Sequence, residues 1–470
     1  MPDKKQIIES SAFRAQKTNY QIWEDFCTGG DAVEKKPKYL PRHPFESEPQ
    51  YKIRLALSTY KNHAKPIVSV FTSSVWRKKP VRDHFPETLK PFLDNVDQFK
   101  TSADMFFTTV DQRAAETGLC FILVDSTKAP EDAGEIKTQA DANKYGIRPF
   151  FVHVPALSVV AWGFDAAGLA FSVIKHEHET ATDPFIEPKK TRTYNVWYRD
   201  KWELYEEKDK DDLVMTSQGT HPCKAVPLVP CYFRKKDEMV GTSAISEVLS
   251  LLSRAYNLEN AFDKSLFDTA FPQQAFYGFE TDSITNYIKS SSNGIVSPDS
   301  NAKSEFVEPS GRAFEAMDKK IKNDELSIRE IALRMVRPDS KVGESAESKK
   351  LDNQQLNSQL SVFSNNCQDA ETRCWELAMA WMNTTGEVGI KYNDDFDIDL
   401  VTGDLIRAFS EMRRNKDISR ATLWKMMQKA EIPLPEDFDA DTEAELIAEE
   451  ARSSGTMGEL GNRFLTGTGV

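Results

Sequence analysis

The sequence predicts an α+β fold. Three observations carry that prediction: short apolar or alternating segments crowd the region from Gly118 to Tyr205, three long segments with helical apolar spacing fill Gly241 to Asn383, and the stretch from Glu436 onward is acidic before ending in Gly, Ser and Thr. At 470 residues the chain exceeds the size at which one core keeps growing, so two to four substructures are expected. Apolar content of 40%, charged content of 28% and a mean hydropathy of −0.52 describe a packed, water-facing protein. No apolar run approaches the roughly 20 residues of a membrane helix, so no membrane partner is expected. The polar start, Met1 to Gln6, has no following apolar segment, which predicts a chain without a signal peptide that stays in the cytoplasm.

A net charge of −13 argues against a broad basic footprint, because tight duplex binding is driven by counterions released from neutralised phosphates. It leaves room for a protein that lets DNA slide past. The six cysteines, Cys27, Cys120, Cys223, Cys231, Cys367 and Cys374, show no Cys-x-x-Cys spacing, which suits reduced thiols and predicts neither a disulfide framework nor a metal centre.

Residues 1–40 read as an N-terminal arm with a short amphipathic helix docking through Tyr20, Trp23 and Phe26 before the turn Gly29-Gly30-Asp31. Tyr39-Leu40-Pro41-Arg42 follows, then a helical run from Glu48 to Lys61 and an apolar segment from Ile67 to Val75. Trp76-Arg77-Lys78-Lys79-Pro80 fits either a phosphate grip with a stacking platform or a solvated basic turn, the second being the simpler reading. Asp104 to Thr117 predicts a helix and Gly118 to Asp125 a buried strand. Further strands are expected at Arg148 to Pro155, Val159 to Phe164, Leu169 to His178, Thr191 to Tyr198 and Lys201 to Tyr205, the last two joined at Arg199-Asp200 as a hairpin. His176 and His178 share one face of their strand, as two metal ligands would, but no third ligand is placed by spacing, which favours a surface strand end. The prolines of Ala225 to Pro230 assign that segment to a sheet edge or a crossover.

From Gly241 the period changes. Thr242 or Ser243 is expected to cap a helix whose apolar stripe runs through Ile245, Val248, Leu252, Ala255, Leu258, Phe262 and Leu266, about 40 Å long, until Pro272 stops it. A small β-α-β excursion follows between Gln274 and Val307, with little core of its own. A second helix is expected from Ala313 to Met335. The polar break from Arg337 to Glu344 separates it from a third helix, whose seam Leu356, Leu360, Phe363, Cys367, Ala370, Cys374, Leu377 and Trp381 predicts packing against a long partner helix, within the subunit or from a neighbour. Val388 to Leu400 alternates like a strand with Asp394 and Asp395 at its middle, read as a polar turn. Helices are expected at Asp404 to Arg413 and Arg420 to Ala430, then a loose acidic tail.

The order of these elements resembles the portal (head-to-tail connector) proteins of tailed bacteriophages. The residues that carry the resemblance are Tyr39-Leu40-Pro41-Arg42, Gly241-Thr242-Ser243 opening a long helix that ends near Ala270-x-Pro272, Glu344-Ser345-Ala346-Glu347-Ser348 opening another after a polar loop, and Asp417-Ile418-Ser419-Arg420-Ala421-Thr422 followed by Ile432-Pro433-Leu434-Pro435. The resemblance implies a portal fold: an arm (1–40), an α/β wing (41–240), a two-helix stem (241–271 and 313–335) bracketing a small α/β clip (272–312), a tunnel loop (336–344), a long wing helix (345–384) and a mainly helical C-terminal crown with an acidic tail (385–470). It implies a homo-oligomeric ring, a dodecamer, at one capsid vertex of a virion, assembled in host cytoplasm around double-stranded DNA. The implied partners are the terminase large subunit, head-tail adaptor and tail proteins, and the major capsid and scaffolding proteins. On this reading Lys319, Lys320, Lys322, Arg337 and Lys341 face DNA, Val336, Pro338, Asp339, Ser340, Val342 and Gly343 complete the tunnel loop, and Phe276, Tyr277, Phe279 and Tyr287 dock partners at the clip. A solvated or subunit-facing surface remains the other reading of the helix lysines.

The chain shows no Gly-rich phosphate loop, no nucleophile elbow and no metal-ligand spacing, so no catalytic, cofactor or metal site is expected. Two alternatives stay open at this level: a hydrolase or nuclease built on His176, His178 and nearby acids, and a capsid assembly scaffold through which no DNA passes.

Overall fold

The computed structural model describes residues 6–127, 145, 147–180, 185, 189–209, 212–270, 273–278, 301, 303–307, 312–333, 346–394 and 396, and further along only 407, 411–415, 419, 422–423 and 442–443. The chain divides into two compact units, Met1–Phe396 and Asp397–Val470. In the second, 411–414 form a helical turn, closed by Asn415 N donating to Glu411 O at 2.8 Å, and Arg407 and residues 422–423 are helical as well; the remainder of the expected helices at Asp404 to Arg413 and Arg420 to Ala430 lies outside the described residues.

In the first unit, helix α1 (Ser11–Thr28) is capped by Ser10, whose Oγ accepts from Phe13 N. Phe13, Tyr20, Trp23 and Phe26 are buried along one face, so the arm is part of the core. Tyr39 and Leu40 are buried too. The Pro41 carbonyl accepts from the Arg54 guanidinium, which also pairs with Glu46 at 2.7 Å, so most of the Tyr-Leu-Pro-Arg segment packs rather than binds. Helix α2 (Glu48–Ala56) is shorter than its pattern because Asn260 intercepts the backbone beyond it: Thr59 N donates to Asn260 Oδ1 at 3.0 Å and Asn260 Nδ2 donates to Thr59 O at 3.1 Å. That amide takes both hydrogen bonds a continued helix would have made internally.

Helix α4 (Ala103–Thr117), itself packed against α3 (Ala64–Val75), lies over a three-stranded antiparallel sheet in the order β3 (Pro149–Val154), β2 (Leu119–Ser126), β9 (Leu228–Tyr232). Strand β2 is buried along six consecutive residues, and its two faces serve different cores. Cys120, Ile122 and Val124 join the helical core, while Leu119, Phe121 and Leu123 join a cluster with Val159, Ile174 and Trp197. Proline-bearing β9 is an edge strand, as its sequence requires.

Residues Val159, Ile174 and Trp197 come from an antiparallel meander of β4 (Val159–Asp165), β5 (Gly168–Thr180), β6 (Lys189–Tyr198), β7 (Lys201–Asp209) and β8 (Asp212–Thr220). The hairpin at Arg199-Asp200 pairs Trp197 with Trp202. Strand β8 has no counterpart in the sequence reading because its apolar residues, Leu213, Val214 and Met215, are consecutive and partly exposed, without alternation. Short pairs complete the sheets: β1 (Val81–Asp83) with β14 (Gly389–Lys391), and β10 (Lys235–Asp237) with β11 (Val240–Gly241).

The long helix, α7 (Ala346–Trp381), corrects one expectation. Within the described residues its buried side packs on sheet and loop aromatics, not on a long partner helix: Phe363 of the seam lies 4.9 Å from Phe233, and the neighbouring Trp375 lies 4.9 Å from Phe151 and 5.1 Å from Phe85, ring centre to ring centre. Large aromatics fill the gap that a pleated surface leaves beneath a heptad-like row. At mid-helix, fully buried Glu371 accepts from Arg82 Nε at 2.8 Å, Trp375 Nε1 at 3.0 Å and Tyr392 Oη at 2.7 Å, tying α7 to β1 and to the segment after β14. Satisfying each carboxylate oxygen makes such a buried charge tolerable.

Candidate functional site

The feature that leaves the body of the unit is a helix pair, α5 (Leu249–Ala270) and α6 (Arg312–Leu333). Each has 22 residues, about 33 Å at 1.5 Å per residue. Two cross-contacts show that they run antiparallel: Phe262 meets Phe314 edge-to-face at 6.0 Å, and Arg254 meets Asp324 with Nε to Oδ2 at 2.8 Å and Nη2 to Oδ1 at 2.6 Å. Burial follows position along the pair. Leu252, Ala255, Tyr256 and Asn260 on α5 and Asp324, Ile328 and Ala332 on α6 are buried, whereas Asp263, Leu266 and Phe267 are exposed and 314–323 are exposed or half-buried. The far ends are joined by antiparallel β12 (Gln273–Tyr277) and β13 (Lys303–Val307).

The start of α5 differs from expectation. The helix begins at Leu249, and Ser243 is spent on α4: its Oγ donates to Glu116 O at 2.6 Å, Ala244 N donates to Ala115 O at 3.0 Å, and Ser243 Oγ also accepts from Ile245 N. Gly118, in the left-handed region at φ 84°, ends α4, and a Cβ on Gly241 would stand 2.0 Å from the Gly118 carbonyl oxygen. The Gly-Thr-Ser segment thus docks the root of the pair onto the open carbonyls of α4.

The proposed DNA-facing lysines separate by partner. Lys320 pairs with Asp324 at 3.0 Å, beside Arg254, and Lys322 pairs with Asp318 at 2.7 Å. Lys319 is exposed and has no ion-pair partner among the described residues. Lys319, Lys322 and Leu326 share one outward stripe at helical spacing, while Lys320 turns toward α5. At the far end Phe276 is half-buried and Tyr277 is 52% exposed, with a hydrogen bond to Glu305 that raises its phenol pKa. Arg337, Lys341, the loop residues Val336, Pro338, Asp339, Ser340, Val342 and Gly343, and Phe279 and Tyr287 lie outside the described residues, as does the expected short helix of the excursion.

His176 and His178 do lie on one strand face, half-buried and exposed, but among the described residues they join no three-ligand group. Burial, with a smaller contribution from His178, holds the His176 imidazole below its ordinary pKa. Glu177, on the other face, is held low by Lys175 and Arg192. Trp76 is not a stacking platform either: its indole Nε1 donates to Asp111 Oδ2 at 2.8 Å, and its ring meets Tyr392 edge-on. An apolar groove of about 410 Å³ on the meander, lined by Ile7, Phe171, Val173, Val196 and Leu213 among others, offers no acid, histidine or cysteine.

Two clusters escaped the sequence reading. Asp111, Cys231 and Cys367 converge in the core, and His63, Glu259 and Glu325 converge at the root of the helix pair. Their members come from separate elements, so no local spacing announces them. In the second cluster Lys61 already bridges to Glu325, while burial pushes the Glu259 carboxyl up to about 7.

Comparison with known proteins adds little that is specific. Residues 253–382 match the model of a domain of unknown function, DUF4055. That segment holds most of α5, all of α6 and all of α7. No curated protein sequence matches the chain. Among solved structures, a chain in the neck of a native GTA particle, computed with C12 symmetry, aligns at TM-score 0.39 and 10% identity over 77% of this chain and 89% of its own. A chain in the neck of an empty GTA particle, computed with C6 symmetry, aligns at TM-score 0.39 and 11% identity over 84% and 96%.

Proposed function

We propose that the protein is the structural subunit of a portal ring at one capsid vertex, closing around double-stranded DNA and docking a terminase motor during packaging and adaptor or tail proteins afterwards. The observation that carries this reading is the antiparallel helix pair rooted in an α/β body and tipped by a strand pair, whose burial falls off toward the tip among the described residues. Leu266 and Phe267 on α5 are 42% and 51% exposed, an apolar surface that a neighbouring copy would cover. The sequence order of stem, clip and wing supports the same assignment. In the ring, Lys319 and Lys322 would contact DNA, joined by Arg337 and Lys341, with the acids of the same helix keeping the contact weak. No catalytic step belongs to this function.

Negative-stain imaging of the purified protein tests the proposal. Closed rings with a central hole are expected; a monomer or dimer at all concentrations would overturn it. Changing Leu266 and Phe267 to Ser should dissolve the rings while leaving the subunit folded, as judged by circular dichroism.

A further inference from the structure

The buried Asp111 stands among sulfur atoms. Asp111 is 1% exposed, and among the described residues no lysine or arginine pairs with it. Its Oδ2 is fixed by the Trp76 indole at 2.8 Å, which leaves Oδ1 facing the Cys231 Sγ at 3.5 Å. Cys367 enters from α7, and the ligand atoms of Asp111, Cys231 and Cys367 lie within 4.8 Å of one another. Cys120 is directly opposite Cys231 in the β2–β9 ladder, so the two thiols share a sheet face. All four side chains are at most 1% exposed. A carboxylate buried without a cation is costly, and its sulfur neighbours here are cysteines, which become zinc ligands on losing a proton.

We propose that Asp111, Cys231 and Cys367, with Cys120 as the fourth ligand, form a structural Zn²⁺ site. Thiolates at ~2.3 Å from a tetrahedral zinc ion stand ~3.8 Å apart, so Asp111, Cys231 and Cys367 close on the ion by side-chain movements of about 1 Å, and Cys120 completes the set by turning its Sγ from the Val110 carbonyl, to which it donates at 3.3 Å. The thiol protons leave as the ion enters, and its two positive charges offset two of the four negative charges of the carboxylate and thiolates so formed. Trp76 then has the role usual for an outer partner of a ligating carboxylate, holding one oxygen so that the other points at the metal. The ligands come from α4, β2, β9 and α7, so the ion would pin the long helix to the sheet. Full burial means that the metal enters during folding and exchanges slowly afterwards. This inference does not depend on the portal reading.

The test is made on the whole chain purified under reducing conditions. Unfolding it in guanidinium with a colorimetric zinc chelator should release about one equivalent of zinc per chain, the content of a single closed site. The equivalent should be lost in Cys231→Ser and Cys367→Ser and kept in Cys223→Ser. Protein produced with Co²⁺ should show sulfur-to-cobalt charge-transfer absorption that survives Glu259→Gln, which excludes the His63 cluster as its source. A wild-type chain that folds without zinc and shows no such absorption overturns the proposal, as does a metal content unchanged in both serine variants. If those variants do not fold, the wild-type cobalt spectrum decides, because the other three-ligand group among the described residues contains no sulfur.

Discussion

His153 shows how one side chain sets the acid limit of the fold. It sits on β3 opposite Ile122, its Nε2 is buried without a hydrogen-bond partner, and burial, reinforced by Arg113, depresses its pKa from 6.5 to about 4. A histidine held neutral in the fold but free to take a proton when unfolded contributes stability that is fully present above its unfolded pKa of about 6.5. That contribution is lost as pH falls through about 4. Its size is at most ~3 kcal/mol, from 1.36 kcal/mol per pKa unit. Urea unfolding followed from pH 7 to pH 4 should therefore show a midpoint that drops, and His153→Phe should flatten that part of the profile. Nothing around His153 in the sequence distinguishes it from His176 or His178, since all three lie in strand-like runs. Burial from distant elements separates them, and burial is not a local property.

Among the elements, those with a period were legible and those held by a single distant side chain were not. Helices α4 and α6, strand β2 and edge strand β9 are where their patterns place them, within a few residues at the ends. Helix α2 ends early because Asn260, about two hundred residues away, captures Thr59. Helix α5 starts late because Gly241-Thr242-Ser243 spends its polar groups on α4. The spacing of that motif reads as a helix cap, yet the chemistry that decides it, the open carbonyls of Ala115 and Glu116, belongs to another part of the chain. The contact also makes a prediction. With a Cβ forced to within 2.0 Å of a backbone oxygen, Gly241→Ala should cost on the order of 3 kcal/mol in denaturant-measured stability, and a variant as stable as the parent would show that the root of the helix pair is not docked this tightly. The long helix teaches the converse. Its four-three seam is real, but a seam specifies a row of apolar side chains and not the kind of surface that receives it.

For the whole molecule the net charge of −13 and the paired state of Lys320 and Lys322 leave few cations for a polyanion in the closed subunit. Any grip on DNA must then come from repetition around a ring, with each copy adding a weak, salt-screened contact. Deletion of Val336 to Gly343 should spare ring assembly and impair DNA packaging or retention; packaging at the wild-type level would remove that loop from the channel. The order of the three long helices was legible in the sequence because long periodic helices write themselves plainly, whereas the sulfur cluster was not, its members being spread from residue 111 to residue 367. One mechanical consequence follows from how burial fades along the helix pair. The pair is held to the body at Asn260, which exchanges two hydrogen bonds with Thr59 and is the last buried residue of α5 among those described. The ten residues from there to Ala270 extend about 15 Å, so a tilt of about 10° at Asn260 displaces the end of α5 by roughly 2.6 Å. The strand pair at the tip thus amplifies small rearrangements of the root.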